Sequence, residues 1–120
     1  MTQSENQVTL KGYVGNDPEY RVNNLDQTVA MFVIGTNDML FGEVKKQWHN
    51  IVVVDQSLIA QVKSDVKKGS HVEVVGTLYY HKSHTSKYFE KARIEIVLTE
   101  NGSITLQPID TKLQATMYND

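Results

Sequence analysis

Apolar and polar residues alternate from Val8 to Val14, with Val8, Leu10, Gly12 and Val14 on one face and Thr9, Lys11 and Tyr13 on the other. That period of two marks a half-buried strand, and Gly12 inside it marks a bend or a close backbone approach. Gly15-Asn16-Asp17-Pro18 reads as a turn, and a short segment, Tyr20 to Val22, leads to a second turn at Asn23-Asn24. Gln27 to Thr36 is a second strand, apolar on both faces, so that either both sides are covered or one is an interface. Asn37 to Gln47 reads as a loop with an apolar tip, Met39-Leu40-Phe41-Gly42. The third strand starts at Trp48 and points Trp48, Asn50, Val52 and Val54 one way, His49, Ile51 and Val53 the other.

From Ser57 to Val66 the period changes to that of a helix, with Leu58, Ile59, Val62 and Val66 on one face. Asp55 or Ser57 suits its N-cap, and Lys67-Lys68-Gly69 suits its end, with positive charge against the negative pole of the dipole. His71 to Tyr80 is a fourth strand, with Val72, Val74, Gly76, Leu78 and Tyr80 inward. A polar, basic loop, His81 to Lys87, precedes a fifth strand, Tyr88 to Thr99, and Asn101-Gly102 signals a tight hairpin into Ser103 to Leu106. The pattern predicts an all-β, five-stranded barrel over residues 1–107, with one short helix between strands 3 and 4 plugging one end. A flexible tail, 108–120, follows where periodicity is lost after Pro108.

Composition changes this picture little. A chain of 120 residues suits one domain, and the absence of cysteine excludes disulfides and thiolate metal sites. The longest apolar runs are only a few residues, so no membrane association is expected. The opening MTQSENQ lacks the apolar or Arg-rich character of a targeting peptide. Charge matters more through its distribution than through its total of −2. Residues 61–93 carry seven Lys/Arg against three acids, a local +4, while the remainder is −6. A polarised chain of this kind can present a basic face.

Catalytic motifs are missing: no P-loop, no G-x-S-x-G, no H-E-x-x-H and no acidic cluster with ligand spacing. His81 and His84 lack neighbouring Cys or paired carboxylates, so neither a metal nor a cofactor is expected, and the chain is not read as an enzyme. What the chain offers instead is aromatic and basic residues interleaved: Phe41, Lys45, Lys46 and Trp48, then Tyr79, His81, Lys82, Lys87 and Tyr88. Unpaired bases stack on aromatic rings at about 1–3 kcal/mol each while lysines track phosphates, and a duplex hides those base faces. Trp48 alone reads equally well as a core or interface residue; Phe41 either folds back on the barrel or meets a base. Lys67 and Lys68 can end the helix and face phosphates at once.

Four stretches in order carry a resemblance: N-x-V-x-L-x-G-x-V-G-x-D-P-E from Asn6, V-A-M-F-V-I-G-T-N-D from Val29, W-H-N-I-V-V-V from Trp48 and K-K-G-S-H-V-E-V-V-G from Lys67. Over Asn6 to Leu106 the chain resembles the single-stranded DNA-binding proteins of bacteria and mitochondria, which fold as OB barrels. T-N-D-M and Lys67-Lys68-Gly69-Ser70 look closer to mitochondrial members. The resemblance implies that Trp48 stacks on bases, that Asn50 faces DNA, that Lys67 and Lys68 form a basic pair on its path, and that Arg21 is a basic residue of the first loop. It places His49 at a subunit contact and pairs the first strand, through Val8, Leu10 and Gly12, with its mate in a second copy. Homotetramers are implied, with a dimer as the smaller alternative. So are replication and repair as the setting, replication proteins such as helicase and polymerase as partners, and the mitochondrial matrix and nucleoid, or a bacterial cytoplasm, as location.

Departures qualify it. Leu40 stands where many members have a stacking Trp, with Phe41 adjacent; Val54 replaces an aromatic; and a further aromatic falls at Ser83 or His84. Weaker stacking and a larger electrostatic share of affinity are expected. The acidic tip with which bacterial members recruit partners is not found at Met117-Tyr118-Asn119-Asp120, which favours the mitochondrial reading. The alternatives are an OB-fold accessory of the primosomal type acting through protein contacts, and an RNA-binding OB domain.

Overall fold

In a computed structural model, residues 4–82 and 92–109 are described. They form β1 (Val8–Val14), β2 (Glu19–Val22), β3 (Thr28–Leu40), β4 (Glu43–Val53), α1 (Gln56–Asp65), β5 (His71–Lys82), β6 (Ala92–Leu98) and β7 (Ser103–Leu106). Five strands close on themselves in the order β1-β3-β4-β6-β5, and β5 returns to β1. The closing seam is antiparallel from Val8–Gly76 to Tyr13–His71, and β4 runs parallel to β6 at Ile51–Ile96. This is the five-stranded barrel that the alternation predicts.

The core is built from the inward residues of each strand: Val14, Phe32, Ile34, Ile51, Val53, Val72, Val74, Ile96 and Leu98. Burying each side chain of this size is worth about 1.5–3 kcal/mol. Ile59 and Val62 from α1, with Val66 just past its end, close one end. Of the two candidate N-caps, Asp55 is the one used, its Oδ2 accepting from the Leu58 N–H at 3.0 Å, an interaction worth about 1 kcal/mol.

Four features differ from the pattern read along the chain. The loop expected at Asn37 to Gln47 is instead a β-ribbon: β3 and β4 stay paired from Ala30–Val53 out to Leu40–Glu43, with Phe41 and Gly42 alone at the turn. Both turn residues have positive φ, 51° and 77°, as a two-residue hairpin turn requires. We call the ribbon beyond the barrel the finger.

The hairpin expected at Asn101-Gly102 does not form. β6 pairs with β5 at residues 77–82 and β7 with β5 at 72–75, so the two run on along the same β5 edge. Thr99 to Gly102 is an excursion closed by a Gly102 N–H to Thr99 O bond of 2.9 Å. Tyr13, on the face assigned to solvent, is buried and stacks on His71 with ring centroids 4.3 Å apart, because β1–β5 pairing sets them opposite one another. Tyr80, read as inward, is exposed because β5 has by then run past the core. The start of β5 is tied to the segment after β7 through Gln107, whose N–H donates to His71 O, and Pro108, whose carbonyl lies 2.6 Å from His71 Nδ1. The tail expected from 108 onward falls mostly outside the described residues, as do residues 88–91 of the expected fifth strand.

Candidate nucleic-acid interface

Alternation along the paired strands places one set of side chains on the outside of the barrel. Met31 and Val33 come from β3, Trp48, Asn50 and Val52 from β4, Arg93 and Glu95 from β6, and Thr77 and Tyr79 from β5. The same face continues onto the finger, where Lys46 and Val44 extend the row of Trp48, and Asn37 and Met39 extend that of Val33. Met31, Val33, Met39, Val44, Arg93 and Glu95 were not singled out from the sequence. The signal that could have found the finger residues is the β-register, hidden while the finger read as a loop.

Trp48 is 45% exposed. It leans on the β1–β2 turn at Gly15, where an added Cβ would fall 2.5 Å from Trp48 Cζ3, so glycine there leaves room for the indole. The turn is fixed by Asn16, whose Oδ1 accepts from the Val33 N–H at 2.8 Å, and its Asp17 Oδ1 accepts from the Lys68 N–H at 2.9 Å. Lys67 and Lys68 follow the helix end, with Gly69 at φ 92° and the Lys67 N–H bonded to Ser70 Oγ. Their backbone is therefore pinned while both side chains are exposed. One turn thus touches the stacking candidate at one end and the basic pair at the other.

Phe41 is 96% exposed at the finger tip, with Met39, Leu40 and Val44 exposed around it, so the tip does not fold back on the barrel. Lys46 shares the face of Trp48. Lys45 lies on the opposite face and pairs with Glu43 at 2.8 Å. Arg21 lies on β2 and borders a hollow of about 260 Å³ with Glu19, Asn16, Asn50, Arg93 and Glu95. A second hollow, about 600 Å³, opens between β4, β6 and the start of β1, and Trp48, Asn50 and Arg93 border it. Tyr79 is exposed opposite Glu95 on β5. His81 and Lys82 are the last two positions of β5, whereas Lys87 and Tyr88 lie outside the described residues.

The residues expected at a subunit contact divide. Val8, Leu10 and His49 are half-buried and border the larger hollow together. Gly12 is buried within the chain itself: a Cβ there would sit 2.1 Å from Gly35 O, so its glycine serves the β1–β3 seam and not an outer surface. Among the described residues β1 pairs with β3 only at Tyr13 and Val14, which leaves the edge of Val8 to Lys11 away from β5 without a strand.

His49 anchors the foot of the finger. Thr36 Oγ1 donates to Asp38 Oδ2 at 2.7 Å, and Gln47 Nε2 donates to the same oxygen at 3.0 Å. The hydroxyl proton is thereby committed, so His49 Nε2, 2.9 Å away, donates to Thr36 Oγ1. Burial pushes the His49 pKa down, opposed in part by Asp38. Among the described residues no group of acids and histidines could hold a metal ion, and no helix is long and apolar enough to cross a membrane.

Residues 5–104 match the model of the single-strand binding protein family. The single-stranded DNA-binding protein of Rickettsia felis is 31% identical over 118 residues, covering 93% of this chain and 77% of the relative. That of Rickettsia prowazekii is 32% identical over 109 residues, covering 86% and 72%. Among solved structures, the Plasmodium falciparum SSB in its complex with ssDNA superposes with a TM-score of 0.79 at 31% identity, covering 90% of this chain and 99% of that one. Rim1, a mitochondrial single-stranded DNA-binding protein of S. cerevisiae, gives 0.70 at 17% identity over the same shares, a likeness of fold alone. The barrel is an OB fold, and the chain belongs to the single-strand binding protein family.

Proposed function

We propose that this protein binds single-stranded DNA without regard to sequence, coating and protecting it during replication and repair, and that it does so by binding and not by catalysis. The observation that carries this reading is the continuous outer face from Val52 and Asn50 through Trp48 and Lys46 to Val44, ending in a finger whose Phe41 is 96% exposed. Exposed aromatic and apolar side chains in a row, with cations along it, suit bases that stack and phosphates that pass alongside. Trp48, Phe41 and Tyr79 are the stacking residues in this proposal. Arg21, Lys46, Lys67 and Lys68 contact phosphates, Asn50 contacts the strand between them, and Lys45 reaches it from the far side of the finger. His81, Lys82, Lys87 and Tyr88 are further proposed DNA contacts.

Self-association belongs to the same proposal. The strandless edge of β1 among the described residues and the half-buried Val8, Leu10 and His49 support a homotetramer, with a dimer as the smaller alternative. Helicase and polymerase are the partners proposed, and the mitochondrial matrix and nucleoid the compartment, with a bacterial cytoplasm as the alternative. The test is titration with oligothymidine of increasing length, followed by Trp48 fluorescence at two salt concentrations, with a duplex control. Quenching that saturates with long single strands, weakens with salt and is absent for duplex is expected. Absence of quenching with every single strand would remove the function and leave the fold.

A further inference from the structure

The smaller hollow opens on the outer face, beside Asn50. Half-buried Met31, Val33 and Val52 supply its apolar lining, and its charged residues are two arginines, Arg21 and Arg93, and two glutamates, Glu19 and Glu95. Two charges of each sign cancel, so the hollow has no net pull on a phosphate. A space of about 260 Å³ with an apolar lining suits a flat, uncharged ring instead, which a single strand supplies as an unpaired base.

One ion pair gives the hollow a chemical direction. Arg93 and Glu95 are two apart on β6 and share its outer face, and Arg93 Nε lies 3.1 Å from Glu95 Oε2. The glutamate side chain is 11% exposed against 68% for the arginine, so the carboxylate is the fixed member of the pair. A carboxylate has about four lone-pair sites and a guanidinium five N–H donors, so each keeps capacity beyond the bond between them. Side by side they present an acceptor next to donors. The amino edge of cytosine is the complement: its N4–H donates, and N3 and O2 accept. Uracil and thymine carry O4 in place of the amino group, and O4 against the carboxylate sets two acceptors together with no proton between them.

We propose that the smaller hollow is a slot for a base with an amino group beside a ring nitrogen, as in cytosine. Glu95 accepts from the amino group, and Arg93 donates to the ring edge. This rests on the single-stranded DNA reading above and adds to it a chemical preference at one position. A strand can slide until a suitable base settles there, so any sequence is still covered.

The test uses the full chain with oligodeoxycytidine and oligodeoxyuridine of about 16 nucleotides, a length one OB fold can cover. The two strands carry the same phosphates and differ at the amino edge, so the ratio of their affinities cancels the electrostatic share. Wild type is expected to favour oligodeoxycytidine about tenfold, within the range of one good bidentate pair. Glu95→Gln should abolish most of that preference, because the amide can turn its N–H toward O4. Arg93→Gln should reduce it as well, since N3 and O2 lose their donors. Arg93 is exposed, so its variant leaves no cavity and keeps the test decisive if Glu95→Gln disturbs the barrel.

A wild-type ratio near one, or a ratio unchanged in both variants, would overturn the proposal. So would equal losses on both strands, the mark of a general structural effect. A preference lost in Arg93→Gln but kept in a folded Glu95→Gln would overturn the role of the carboxylate. A wild-type protein that binds neither strand would sink the single-stranded DNA reading instead, which separates the two failures.

Discussion

A neutral imidazole at position 49 holds the foot of the finger, through Thr36 to Asp38 and Gln47. Its pKa in the folded chain lies below the ordinary value because burial disfavours the cation. The unfolded chain therefore takes up the proton first as pH falls. Stability attributable to His49 is intact above about pH 6.5, declines as pH drops through that value, and levels off below the folded pKa. Urea unfolding of wild type and His49→Gln at steps from pH 8 to pH 5 should show the wild type losing more stability on acidification. A steeper loss in the variant would contradict the assignment. The resemblance singled out His49 for a subunit contact, not for this role. Its partners were not legible, because Thr36, Asp38 and Gln47 meet only across a ribbon whose polar composition hides its pairing. Tyr13 was lost for the opposite reason: alternation identifies two faces but not which strand will cover the second.

The finger is the element where local preference and sequence disagree. Phe41 holds φ 51° at a two-residue turn followed by Gly42, a conformation that costs a non-glycine residue about 1–3 kcal/mol. Asparagine before glycine is the favoured pair for such a turn. A bulky aromatic kept there, fully exposed, suits contact with a ligand and not packing. Phe41→Asn is accordingly expected to raise the thermal midpoint, by up to about 1 kcal/mol of stability, while weakening oligothymidine binding by about 1–3 kcal/mol. Calorimetry and fluorescence titration of one variant read both effects, and unchanged affinity would remove Phe41 from the interface. The ribbon escaped the sequence reading because it extends beyond the core and so buries no alternate face. Asn101-Gly102 misled in the other direction: the turn forms locally, but the strand after it returns to the same β5 edge.

At the scale of the whole molecule, barrel and helix plug were legible, since each rests on periodicity sustained over a full element. Assembly was expected only through the resemblance. The geometry adds that, among the described residues, the edge of β1 from Val8 to Lys11 away from β5 carries no strand, beside a hollow bordered by Val8, Leu10 and His49. Val8→Lys places a charge in the apolar part of that hollow at the very start of the strand, where the barrel tolerates it best. Sedimentation equilibrium should show wild type at a multiple of the chain mass and Val8→Lys shifted toward a single chain, with the barrel still folded. An unshifted mass would move the subunit contact away from this edge.

The closing seam has a kinetic consequence. Val8 meets Gly76 only after most of the barrel has been made, whereas β3 and β4 are joined by two residues and remain in register along the entire finger. Pairing between neighbours forms fast, and pairing between distant segments waits on the entropy of closing the chain. Folding is therefore expected to begin at the hairpin that carries the finger and to end when the first strand docks. Phe41, with its positive φ, stands at the turn of that hairpin, so the residue proposed to meet bases is also one whose replacement by asparagine is expected to speed folding.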